Sequence, residues 1–114
     1  MLNEYIIIKS NNYLDYERKF ITTNSKAREN INNFCNALCR GVFLGNKVPQ
    51  GKEQNNIIEY ETELPTGNNL YYIPMLQYTV YEDKKVISFN KITQVKDKKK
   101  EDIIHFKSSL LNKL

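Results

Sequence analysis

The chain has 114 residues, of which 40% are hydrophobic and 26% charged, and it carries a net charge of +4 at pH 7. This length suits a single domain, 1–114, with one core and no need of disulfides or metal, and the composition excludes a fibrous or disordered chain. No apolar run approaches the ~20 residues that span a bilayer, and Met1 leads into a strand-like segment rather than a basic stretch, an apolar core and a cleavage site, so the expected location is intracellular and cytoplasmic with no membrane partner.

Residues 4–10, EYIIIKS, carry apolar residues on both parities, as a strand covered on two sides or a short buried strand does. Asn11 and Asn12 mark a turn. Residues 16–23 alternate Tyr16, Arg18, Phe20 and Thr22 against Glu17, Lys19 and Ile21, and read as the return strand of an N-terminal hairpin spanning 1–23. Asn24 and Ser25 then offer helix N-caps, Ala27, Ile31, Phe34 and Leu38 form an apolar stripe over 26–40, and Gly41 is a natural residue just past the helix end. Cys35 and Cys39, four apart in that helix, would make a strained disulfide, and reduced thiols fit an intracellular compartment.

Residues 42–56 lack periodicity and read as a long connection. In 56–64 the apolar or neutral residues Ile58, Tyr60, Thr62 and Leu64 alternate with Glu59, Glu61 and Glu63, which predicts a strand. A turn at 65–69 leads to a long strand over 70–82, in which Pro74 calls for a bulge or an edge position. Residues 83–85 turn the chain into a third strand over 86–95. From 96 to 114, Ile103, Phe106, Leu110 and Leu114 recur at helical spacing behind Asp97 as N-cap. The predicted order is β-β-α-β-β-β-α, an α+β domain whose antiparallel sheet carries two helices packed on one face.

Catalytic chemistry finds little footing in this pattern. One histidine, His105, falls on the polar side of the last predicted helix, and two cysteines with one histidine fall short of four zinc ligands. Glu59, Glu61 and Glu63 repeat at about 7 Å along one strand face, a row that could hold a divalent metal but that more often is a solvated face. No cofactor motif and no glycine-rich phosphate loop is present, so the expectation is a protein that is not an enzyme and needs neither metal nor cofactor. More telling are Lys98, Lys99 and Lys100, which fill the first turn of the last predicted helix, where the macrodipole is already positive. Three lysines beside free helix N–H groups make a good phosphate surface, which would offset their mutual repulsion.

From residue 24 onward the α-β-β-β-α order resembles the double-stranded RNA-binding domain. The stretch IIEYETELPTGNNLYYIPMLQYTVYEDKKV is similar to that family's first two strands, and KKKEDIIHFKSSLLNKL to its last helix, which opens on a lysine pair. The Dicer dimerisation domain, a divergent relative of the fold, is resembled more closely: NSKARENINNFCNAL is similar to its first helix, with Asn33, Phe34, Cys35 and Leu38 in place, and EYETELP to its strand ending in Leu64 and Pro65. The resemblance implies RNA as partner, with phosphate contacts from Lys98, Lys99 and Lys100 and further contacts from Lys26, Arg28, Asn68 and Asn69. This chain departs from the family at Asp102 and Ile103, where small residues are usual, and at Lys107 within the apolar stripe. Degenerate members of the fold often bind proteins. The alternative expectation is therefore a small adaptor or inhibitor, of the kind a virus or mobile element encodes against a nucleic-acid-processing machine, anchored by Tyr71, Tyr72, Tyr78 and Tyr81.

Overall fold

A computed structural model describes residues 4–49, 56–66 and 72–96, with the backbone alone for Lys96. The chain forms β1 (Ile6–Lys9), α1 (Asn11–Phe20), α2 (Ser25–Cys39), β2 (Asn46–Lys47), β3 (Ile57–Glu63), β4 (Tyr72–Tyr81) and β5 (Val86–Lys96). The strands make one sheet in the order β1-β5-β4-β3-β2. The class is α+β, as expected. The sheet, however, is mixed rather than antiparallel throughout, because β1 runs parallel to β5, with Ile6 opposite Val86 and Lys9 opposite Phe89. The predicted helix over 96–114 falls beyond Lys96, outside the described residues.

The second departure lies at the N-terminus, where the expected return strand is helix α1. Ser10 caps it by accepting a hydrogen bond from the Tyr13 backbone N–H, and Arg18 and Lys19 occupy the last turn, where the helix dipole favours cations. The same Ser10 hydroxyl donates to the Asn90 carbonyl at 2.8 Å, and the Asn12 side-chain oxygen accepts from the Ile92 N–H at 2.9 Å. These two contacts pin the first turn of α1 to β5 just past the point where β1 ends. Alternation over 16–22 pointed to a strand, but Tyr13, Tyr16 and Phe20 also fit a helix face at steps of three and four, and the contacts of Ser10 and Asn12 with β5 decide for the helix.

Helix α2 follows its sequence signals closely. The Asn24 side chain accepts from the N–H groups of Lys26 and Ala27, and Ala27, Ile31, Phe34 and Leu38 are the buried residues. Gly41, at φ +88°, closes the helix with Gly41 N–H to Leu38 O and Val42 N–H to Ala37 O, the bond pair of a Schellman end. Strands β3, β4 and β5 form the expected antiparallel meander, with Ile57 opposite Tyr81 and Tyr81 opposite Val86. Pro74 sits in β4, with strands on both sides, and the bulge falls elsewhere, at Asn90 opposite the Gln77–Tyr78 step. Its carbonyl accepts from Leu64 N–H, so its nitrogen faces the same side, just where β3 has ended and a missing donor costs little.

Both helices pack on one face of the sheet. Phe89 is the hub there, with ring centroids 5.0 Å from Tyr13, 6.2 Å from Phe34 and 6.3 Å from Tyr78. Tyr60 stacks on Tyr78 at 5.2 Å and leads through Phe43 to Tyr5. Gly45 lets the 42–45 segment cross close over β3. It has φ +95°, and a Cβ there would meet the Glu61 carbonyl and come within 2.6 Å of Thr62 Cβ. Gly45→Ala is therefore expected to destabilise the fold by at least about 1–3 kcal/mol, the range for a non-glycine residue forced into a sparse backbone region. Urea denaturation of the variant checks this; an unchanged midpoint would mean that the crossing is looser than described.

Candidate interaction surface

The face of the sheet opposite the helices is open among the described residues. Strand alternation places on it Ile6 and Ile8 from β1, Val86, Ser88, Lys91, Thr93 and Val95 from β5, Ile73, Met75, Gln77, Thr79 and Tyr81 from β4, and Ile57 and the three glutamates from β3. The pairing registers align Ile6, Val86, Tyr81 and Ile57 in a single row that crosses four strands. Ile6 is 69% and Ile8 55% exposed, while Val86, Tyr81 and Ile57 are half-buried by one another. An apolar row on an uncovered sheet face is the kind of surface that a partner covers. Ile6 and Ile8 depart from the expectation for EYIIIKS, since among the described residues β1 is covered on one side only.

Beside this row the surface turns polar. Asn90, the bulge residue, donates from its amide to the Thr79 hydroxyl at 2.7 Å and accepts from Ser88 at 2.7 Å, tying β4 to β5. Glu59 and Glu63 are exposed and Glu61 is half-buried, so the open face is acidic along β3. Among the described residues no group of three or more His, Cys, Asp or Glu side chains comes together in a way that could hold a metal ion. A hollow lined by Val48, Glu59, Gln77 and Asn90 measures about 90 Å³. That is well below the ~300–1,000 Å³ of small-molecule sites.

The residues singled out from sequence separate in the structure. Tyr78 is a core residue, fully buried, with its hydroxyl donating to Leu44 O at 2.6 Å, so it is no anchor for a partner. Tyr72 lies on the helix-bearing face, whereas Tyr81 belongs to the open row. Lys26 and Arg28 are exposed on the first turn of α2, Lys26 with Glu29 at 3.7 Å. Lys98, Lys99, Lys100, Asn68, Asn69 and Tyr71 lie outside the described residues. Sequence reading missed Ile6, Ile57 and Val86 as a set. Its signal was apolar residues on the glutamate-bearing parity, but only the cross-strand register shows that they align.

Between β1, α1 and α2 lies a second polar group. Lys9 Nζ contacts Glu17 Oε2 at 2.9 Å and stands 5.6 Å from the Tyr13 ring centroid. The Tyr13 hydroxyl is buried without a hydrogen-bond partner among the described residues. Burial, with the Glu17 carboxylate next, raises its pKa far above the ordinary tyrosine value. Cys35 is a free thiol whose pKa burial pushes up to about 11, against the smaller opposing effect of Lys9. A thiol held protonated in this way is a packing group and a poor nucleophile.

Comparison with family models, with curated proteins and with solved structures gives no match to this chain.

Proposed function

We propose that this domain is a non-catalytic protein-interaction module whose contact surface is the open sheet face. The observation that carries this reading is the aligned row Ile6, Val86, Tyr81 and Ile57, an apolar strip uncovered among the described residues and set beside an acidic strand. A fitting partner presents an apolar ridge flanked by lysine or arginine, which would pair with Glu59, Glu61 and Glu63. The same acidic strand repels phosphate, so this face is unsuited to a nucleic acid. Such a partner could belong to a nucleic-acid-processing machine, as an adaptor or inhibitor would require.

RNA binding is the second reading, favoured by the run Lys98, Lys99 and Lys100 and by the exposed Lys26 and Arg28. One titration separates the two. Fluorescent RNA is titrated with wild type and with Lys98→Gln/Lys99→Gln/Lys100→Gln at several salt concentrations. The protein-interaction reading expects equally weak binding by both proteins. If the triple variant instead loses affinity evenly over RNA sequences, and its log affinity against log salt flattens by up to about 2–3 units, the lysines bind phosphate and RNA becomes the leading ligand.

A further inference from the structure

The outer edge of β1 carries a second feature. Ile6 N–H donates to Lys85 O and Ser10 N–H to Phe89 O, so the even-numbered residues of β1 turn their backbone groups toward β5. Ile7 and Lys9 turn theirs outward, and among the described residues β1 is the last strand on its side of the sheet. The outward N–H of Tyr5 is already taken by Cys39 O at the end of α2. Among the described residues the free edge is thus Ile7–Lys9, centred on Ile8. Protective devices are sparse there apart from the strand's shortness: it has no proline, no bulge, and no charge on the open face, where Ile6 and Ile8 project.

We infer that β1 pairs antiparallel with β1 of a second copy of this chain, about a two-fold axis at Ile8. In that register Ile7 of each copy lies opposite Lys9 of the other, and each such pair exchanges two N–H···O=C bonds, so all four outward groups of each edge are satisfied. Ile8 meets Ile8 in the narrow, non-hydrogen-bonded position, where side chains approach most closely. Charge permits the pairing, because Lys9 is the one charged residue on the edge and is compensated within its own copy by Glu17. The two sheets then become one, and the apolar rows of both copies lie on a shared face.

The inference goes beyond the interaction reading: a second copy pairs with the edge of the sheet, and the open face, now twice as wide, stays available. Two isoleucines and a three-residue edge bury on the order of a few hundred Å² per copy, below the ~800 Å² of a standard-size interface, so the association is weak and concentration-dependent. Sedimentation equilibrium from about 10 µM to 1 mM, a range suited to this weak class, is expected to show wild type shifting from monomer to dimer. Ile8→Lys is expected to stay monomeric with an unchanged circular dichroism spectrum, and Ile57→Lys, at the far end of the row, to dimerise like wild type. Independently of any variant, the Ile7 and Lys9 amides of wild type should exchange more slowly as concentration rises. A wild type that stays monomeric throughout, or exchange at Ile7 and Lys9 that ignores concentration, overturns the pairing. A dimer lost in Ile57→Lys but kept in Ile8→Lys overturns the edge geometry while leaving the open face as an interaction surface. Phosphate binding by the triple-lysine criterion bears on the wider reading instead.

Discussion

Phe89→Ala is expected to cost about 3–5 kcal/mol, the range for truncating a fully buried phenylalanine. Its ring is fully buried and touches an element on every side: Tyr13 of α1, Phe34 of α2 and Tyr78 of β4. Removing it leaves a cavity walled by three large rings held by separate elements, which cannot all move inward together. Phe34→Ala reaches the same hub from the helix side and should fall in the same range. Because the two rings share neighbours, the double variant should lose less than the sum of the two losses. Urea denaturation of the three variants measures this, and a loss below about 1 kcal/mol for either single variant would mean that α2 is not docked on β5.

Stability should also fall steeply in alkali. Tyr13 and Tyr78 are fully buried, and desolvation holds both phenols well above their ordinary pKa of 10.0, aided by Glu17 for Tyr13 and by Tyr60 for Tyr78. A raised pKa in the folded state means that the unfolded chain releases its protons first. The contribution of each phenol is therefore complete below about pH 10 and is lost as pH climbs toward its folded pKa. In that window each tyrosine removes about 1.4 kcal/mol per pH unit and the two together about 2.7. Cys35 adds a loss of the same sign between pH 9.0 and about 11. Denaturation midpoints from pH 8 to pH 11, with tyrosinate absorbance followed in parallel, test this. A midpoint that holds steady up to pH 11 would show these groups to be solvated in the folded state.

How far the sequence could be read depended on how local each signal was. Helix α2 was legible because its stripe, its Asn24 cap and its Gly41 end lie within one window. Strand β3 was legible because its glutamates alternate with Tyr60 and Thr62. Helix α1 was not, since Tyr16 and Phe20 satisfy both a period of two and a spacing of four, and the contacts that decide for a helix run from Ser10 and Asn12 to Asn90 and Ile92 on a distant strand. Parallel pairing of β1 with β5 has no local signature at all. The tyrosines illustrate the same limit within the proposed surface: strand parity separates Tyr78 from Tyr81, but only the position of the helices says which parity is covered.

Placing β1 against β5 also fixes an order of events during synthesis. Ile6 and Val86, its first partner, stand 80 residues apart, with α1, α2 and the rest of the sheet between them. At ribosomal speeds of about 5–20 residues per second, the three isoleucines of β1 emerge roughly 4–16 seconds before the strand that receives them. The strands of the β3–β4–β5 meander follow one another closely along the chain and have no such wait. Through that interval the nascent chain exposes three consecutive isoleucines, and a chaperone that shields Ile6–Lys9 would hold this edge strand in reserve until β5 is made.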